Sequence, residues 1–124
     1  MKKLILLLAI TAFLFSFTAL SFTEIVNAIK SGNAAEVAKY FDNTVEITLP
    51  EKSNSYSKSQ AELVLHDFFV TNGVKKFEVI HKSENSGSQY CIGNLITSNG
   101  LFRTTIYLKQ KADKQVVQEL RFER

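Results

Sequence analysis

SKSQAELVLHDFFVTNG, residues Ser57–Gly73, decides the fold because it is the one long amphipathic helix that the chain predicts. Ser57 and Gln60 have the spacing of a capping box, in which the serine oxygen accepts the backbone N–H of Gln60. Gly73 tolerates the positive φ that commonly ends a helix. One apolar stripe recurs with the helical period, at Ala61, Val64, Leu65, Phe68 and Phe69. Two adjacent phenylalanines on this stripe predict a concave surface that receives the helix.

The opposite side of this helix is also partly apolar. Leu63 and Val70 lie seven residues apart and therefore share a face roughly opposite the main stripe. One interpretation is that other helices of the chain cover this face. The other is that the face forms a dimer contact.

The first 21 residues predict a cleavable signal peptide. Lys2 and Lys3 form a positive n-region, and Leu4–Phe17 is an apolar run that is too short for an ordinary membrane span. A small-x-small site then places cleavage after Ser21 or, as a second choice, after Ala19. We therefore expect a secreted or periplasmic protein, with an uncleaved membrane anchor as the alternative.

Residues 22–124 have a length that suits a single domain. The leader holds two of the 15 Lys and Arg residues and none of the 12 Asp and Glu residues, so 13 basic against 12 acidic groups leave a net charge of +1. The basic residues are dispersed, and we expect no nucleic-acid partner. The single cysteine, Cys91, cannot form an internal disulfide, and its apolar neighbours predict a buried structural thiol rather than a nucleophile.

The remaining elements follow from local patterns. Capping boxes predict two short helices before the strand Thr44–Leu49, and Glu51–Ser55 is predicted to be a polar loop. The chain after Gly73 predicts a meander of four strands, with a bulge at Gly93 and a hairpin at Asn99-Gly100. These strands are predicted near Lys76–Lys82, Ser88–Thr97, Leu101–Lys109 and Val116–Phe122. The order is ααβαββββ, which indicates an α+β fold with a strongly curved antiparallel sheet packed on three helices.

This order, together with the segment DNTVEIT at Asp42–Thr48, resembles the nuclear-transport-factor-2-like superfamily, also called the cystatin-like cone. More narrowly, Asn33–Leu49 and Tyr56–Gly73 resemble a family of small secreted bacterial proteins that is a domain of unknown function. The resemblance covers residues 22–124. It implies a bent sheet that forms a cone with the helices, a pocket that often opens at the mouth of the cone, and dimers that commonly form through the sheet.

Some members of that superfamily are enzymes, such as ketosteroid isomerase and scytalone dehydratase. Their chemistry needs acids with shifted pKa values in the pocket, and no such pattern is matched residue by residue here. His66 and Asp67 are predicted to lie on a solvated helix surface, and His81 is predicted to be a core histidine on the face of Phe77 and Val79. We therefore assign no catalytic residue, cofactor or metal ligand.

Five residues remain as candidates for binding a ligand: three tyrosines that pair a ring with a polar tip, one arginine with a guanidinium fork, and one phenylalanine. They are Tyr40, Tyr90, Phe102, Arg103 and Tyr107. The alternative is that Tyr40 and Tyr90 only pack, and that Arg103 and Tyr107 face solvent on the outer sheet surface. A cone filled by phenylalanines, including Phe102, would leave no pocket.

The hypothesis that these observations favour is a non-catalytic secreted domain. It would bind a small amphipathic ligand or a protein partner through the cone pocket. The alternatives are an enzyme of the isomerase or dehydratase type and a homodimeric structural protein with a vestigial pocket.

Overall fold

The computed structural model describes residues 22–124, so the signal peptide predicted over residues 1–21 lies outside the described residues. Three helices and six strands make up this part of the chain. The helices are α1 at residues 22–30, α2 at Ala34–Ala38 and α3 at Lys58–Asn72. The strands are β1 (Phe41–Thr48), β2 (Ser53–Ser57), β3 (Val74–Asn85), β4 (Ser88–Thr97), β5 (Gly100–Lys111) and β6 (Lys114–Glu123).

The six strands form one sheet in the order β2-β1-β6-β5-β4-β3. The predicted α+β class, the curved sheet and the three helices are confirmed. Two details differ from the prediction. The sheet is mixed, since β1 pairs with β6 in parallel while every other described pair is antiparallel. In addition, Ser53–Ser57 is a strand. The loop predicted over Glu51–Ser55 therefore stops before Ser53, where this strand begins.

Both differences have the same physical origin. The β2 strand lies at the sheet edge, and its side chains are largely exposed. Because neither face of the strand is buried in the core, its sequence does not alternate apolar and polar residues. The β1 and β6 strands are neighbours in the sheet but lie far apart in the sequence. Whether they pair in parallel or antiparallel depends on how the chain returns across the sheet. Neither feature has a local signature.

The long helix α3 is confirmed with its predicted caps. The Ser57 hydroxyl accepts the backbone N–H of Gln60 at 3.4 Å, and Gly73 has φ 68° while its N–H donates to the Phe69 carbonyl at 2.9 Å. The Phe68 ring lies 4.4 Å from the Phe122 centroid and 5.1 Å from the Phe102 centroid. The apolar stripe therefore packs on the inner face of β5 and β6, where these rings form the centre of the core.

The bulge predicted at Gly93 is present, but the additional residue belongs to β3. The register between β3 and β4 shifts between Val79 and His81, opposite Gly93. The ring of Phe77 lies so close that a Cβ on Gly93 would come within 2.6 Å of it. A side chain at this position therefore does not fit.

The bulge also changes the position of His81. The prediction of a core histidine is wrong, because His81 is exposed. It pairs with Ile92, and the side chain of Ile92 lies on the sheet face opposite to that of the core residue Cys91. An inserted residue reverses the side-chain alternation of a strand, so the face that begins at Phe77 does not continue to His81.

The outward face of α3 is left uncovered by the described residues. Leu63 and Val70 are 63% and 68% exposed, so the interpretation that other helices cover them is wrong for residues 22–124. The dimer contact stays a prediction. None of the helices in the described range has both the length and the apolar character needed to cross a membrane.

Candidate functional site

A cavity of about 290 Å³ lies where the β1–β2 connection, α3 from Val64 onwards, the start of β5 and Arg124 meet. Its apolar lining consists of Leu49, Pro50, Val64, Phe68 and Phe102. Its polar lining consists of Glu51, Lys52, Asp67, Thr71, Asn72 and Arg124. The phenylalanines therefore fill the core without closing this end of the cone.

The β1–β2 connection forms one wall as a tight turn. Leu49 and Lys52 exchange two backbone hydrogen bonds, with N–O distances of 2.8 Å and 3.3 Å. These bonds hold Pro50 and Glu51 at the tip of the turn, and proline restricts the backbone there. The wall is consequently fixed by the backbone.

The back of the cavity is tied together by two asparagines. The side-chain amide of Asn72, which is buried, donates to the Phe68 carbonyl at 2.9 Å. The Asn99 amide donates to the Thr71 carbonyl at 3.1 Å and to the Asn72 side-chain oxygen at 3.2 Å. These bonds join the end of α3 to the β4–β5 hairpin. The predicted hairpin is present, but its two-residue turn is Ser98-Asn99 rather than Asn99-Gly100, because Gly100 already pairs with Thr97 as the first residue of β5.

Arg124 closes the cavity from the other side. Its guanidinium carbon lies 4.6 Å from the centroid of the Phe102 ring, and its Nη1 donates to the Asn99 carbonyl at 2.9 Å. The guanidinium is thus held by an aromatic face and by a hairpin carbonyl. Sequence reasoning missed Arg124, because no motif or spacing connects this residue with Phe102 and Asn99.

The structure places one of the five predicted ligand-binding residues at this cavity. Phe102 lines it, and its side chain is buried. Tyr90 and Tyr107 are half-buried cross-strand neighbours that alternate with the core residues Cys91 and Ile106, so they lie on the outer sheet face, and Arg103 is exposed on the same face of β5. Their role in ligand binding stays a prediction.

Tyr40 lies away from the cavity, between α2 and β1. Its hydroxyl donates to the Glu24 carboxylate in α1. Partial burial, reinforced by this hydrogen bond and the negative charge of Glu24, raises the pKa of Tyr40 to about 12. The tyrosine therefore connects two elements, and a ligand-binding role for it also stays a prediction.

Two further titratable residues that the sequence singled out, His66 and Cys91, lie outside the cavity. His66 is exposed on α3, as predicted. Cys91 is fully buried, and burial raises the pKa of its thiol to about 11, in agreement with a structural thiol. Among residues 22–124, no group of three or more His, Cys, Asp or Glu side chains is arranged to hold a metal ion.

A buried carboxylate at Asp42 connects β1 to the neighbouring strand β6 and to the end of β5. It accepts hydrogen bonds from Lys111 at 3.1 Å and Gln118 at 3.0 Å. These bonds, led by the one from Lys111, lower the pKa of Asp42 to about 2. The cluster stabilises the fold and lies apart from the cavity lining.

Known proteins resemble this chain over most of its length. Residues 22–123 match the family described as a domain of unknown function, DUF4783. A family member from Bacteroides uniformis is 30% identical, and the alignment covers 82% of this chain and 94% of that chain with a TM-score of 0.80. Another member, from Bacteroides fragilis, is 31% identical, with coverages of 82% and 95% and a TM-score of 0.78.

More distant structures share only the fold. A nuclear-transport-factor-2-like protein of unknown function from Cytophaga hutchinsonii is 10% identical, covers 82% of this chain and 83% of that chain, and gives a TM-score of 0.60. No curated protein matches the chain.

Proposed function

The chain belongs to the DUF4783 family and has the nuclear-transport-factor-2-like fold that its sequence predicted, and from its cavity we propose that it is a non-catalytic secreted or periplasmic domain that binds a small amphipathic ligand. The observation that carries this proposal is the cavity of about 290 Å³, which combines an aromatic floor with a charged rim. Pockets that bind small molecules are mostly apolar, with a few polar groups that orient the ligand.

The aromatic floor supplies the affinity in this proposal. Phe68 and Phe102 are buried residues of the core, and each also borders the cavity. Because little of these rings remains exposed, the main favourable term is the burial of the ligand's own apolar surface against them. The rim residues would then keep the polar end of the ligand in contact with solvent.

The positions of the acids in the cavity favour binding over isomerase or dehydratase chemistry. Catalytic acids of that type need a desolvated site that shifts their pKa. The two carboxylates of the lining belong to Glu51 and Asp67, and both residues are exposed. Neither histidine of residues 22–124 lines the cavity.

The proposed location outside the cytoplasm rests on the sequence of residues 1–21. A basic n-region, an apolar run and a small-x-small site are typical of a cleaved signal peptide. Amino-terminal sequencing of protein recovered from the periplasm would test this part. A chain that begins at Phe22 or Leu20 supports the proposal, and an intact leader contradicts it.

Native mass spectrometry of protein expressed from the full-length chain tests the binding function. Thr71→Trp places a large ring at an exposed position of α3 that lines the cavity. Val70→Trp is the matched control, because Val70 precedes it, is 68% exposed and does not line the cavity. We expect a small-molecule adduct on the wild type and on the control, and its loss in Thr71→Trp.

The possible outcomes separate the alternatives. Wild-type protein that is consistently bare, and that also fails to bind added amphiphiles, contradicts the proposal. An adduct that survives Thr71→Trp places binding elsewhere. Co-purification of a protein in place of a small molecule would favour the protein-partner hypothesis instead.

A further inference from the structure

We propose that the ligand carries a carboxylate, which Arg124 recognises while an apolar body lies against Phe68 and Phe102. This inference rests on the proposed binding function and adds the chemical class of the ligand. Arg124 is suited to this role because it is fixed in place and has no anionic partner of its own among residues 22–124.

The guanidinium is held before any ligand arrives. It stacks on Phe102 with 4.6 Å between its carbon and the ring centroid, and it donates one N–H to the Asn99 carbonyl at 2.9 Å. Asn99 is itself bonded to the carbonyl of Thr71 and to the side chain of Asn72. Because these bonds already restrict the arginine, binding through it costs less conformational entropy than binding through a free side chain.

The guanidinium also retains most of its hydrogen-bonding capacity. An arginine has five N–H groups, and in the described part of the chain only the Asn99 carbonyl accepts from this one. No carboxylate of residues 22–124 lies within ion-pair distance of it. The remaining donors match the two oxygens of a carboxylate, and such charge-assisted pairs are stronger than neutral hydrogen bonds.

The acidic residues of the lining offer a weaker site for a cation. No hydrogen bond or ion pair within residues 22–124 fixes the carboxylates of Glu51 or Asp67, and both side chains are exposed. A cationic ligand would therefore have to immobilise them on binding. Lys52, which also lines the cavity, adds a second positive charge. Glu51 and Asp67 formally balance Lys52 and Arg124, and of these four side chains only Arg124 is held in place by a hydrogen bond and by stacking.

The cavity limits the apolar body to a small group. Its volume of about 290 Å³ lies just below the range of roughly 300–1,000 Å³ that is typical of ligand sites. One aromatic ring with a short chain is a suitable probe, because it can lie against Phe68 while its head group approaches Arg124. We therefore choose 3-phenylpropionate, with 3-phenylpropanol and 3-phenylpropylamine as the neutral and cationic analogues.

Dissociation constants of the three probes are measured by NMR titration of protein expressed from the full-length chain. The variant is Arg124→Gln, and the control is Arg103→Gln, which removes an exposed arginine from the outer sheet face. We expect the wild type to prefer the carboxylate over the alcohol. We also expect that preference to fall about tenfold to a hundredfold in Arg124→Gln, the effect of losing a hydrogen bond to a charged group.

Each result bears on the proposal. A preference that is lost in Arg124→Gln and kept in Arg103→Gln supports it. Tighter binding of the amine, or a carboxylate preference that Arg124→Gln leaves intact, overturns the inference while the binding function stands. A failure of all three probes to shift any cavity resonance overturns the inference and counts against the binding function as well.

Discussion

Gly93→Ala is expected to destabilise the protein, although it adds a single methyl group. The new Cβ would lie 2.6 Å from two atoms of the Phe77 ring and 2.7 Å from the carbonyl oxygen of Glu78. Gly93 does not have a positive φ, so the effect comes from lack of space rather than from backbone conformation. The substitution therefore tests how the bulge and the Phe77 ring depend on each other.

The size of the effect follows from these contacts. Overpacking a well-packed site costs about 1–3 kcal/mol, and the upper part of this range applies because the Glu78 oxygen belongs to the backbone and cannot rotate away. Alanine also lowers the conformational entropy of the unfolded protein relative to glycine, which offsets about 0.4–1 kcal/mol of this cost. A net loss of about 2 kcal/mol corresponds to a fall in Tm of roughly 8–16 °C for a domain of this size.

Thermal and urea unfolding of Gly93→Ala, Phe77→Leu and the double variant measure the coupling. Removing the ring should relieve part of the crowding, so the double variant should be more stable than the sum of the single losses predicts, by about 1 kcal/mol. Phe41→Leu, a buried residue on β1, should be additive with Gly93→Ala. A Tm within about 2 °C of the wild type, or strict additivity with Phe77→Leu, would refute the reasoning.

Three further predictions concern the core and its titratable groups. Phe68→Ala should lower the free energy of unfolding, measured in urea, by about 3 kcal/mol, which is the lower end of the usual range because the site opens to the cavity. Val70→Ala should be nearly neutral, since Val70 is exposed. The pKa of Asp42 falls from 3.8 to about 2 on folding. Its contribution to the free energy of unfolding is therefore complete above about pH 5 and is lost as the pH falls towards 2. Asp42→Asn should therefore be less stable at pH 7 by about 1–2 kcal/mol and should flatten the acid limb of a pH–Tm profile; an unchanged acid limb would contradict this. The buried Cys91, whose pKa is raised to about 11, should react with a thiol reagent at pH 8 only after unfolding, and rapid labelling of the native protein would show that the site is open.

Local physical chemistry explains which elements the sequence predicts correctly. The helix α3 has its caps, its stripe and its terminating glycine within one stretch of 17 residues, Ser57–Gly73, and each signal acts over only a few residues. The longer strands alternate apolar and polar residues because one face is buried. The burial of Cys91 follows from its apolar neighbours for the same reason.

The site was less predictable, because it joins residues that are distant in sequence. Of the five candidates, Phe102 lines the cavity, and the arginine in the lining is Arg124 rather than the candidate Arg103. Both arginines are exposed and neither belongs to a motif. Only the return of the last strand towards the β4–β5 hairpin brings Arg124 to the Asn99 carbonyl.

The amino-acid sequence by itself thus determined the α+β class, the central helix, its caps and the main strands, because periodicity and capping are properties of neighbouring residues. The tertiary structure alone decided the parallel β1–β6 pair, the edge strand β2, the exposure of His81 and the composition of the cavity. The physical reason is that pairing direction, bulge register and cavity lining depend on contacts between segments far apart in the chain, and no local pattern records such contacts.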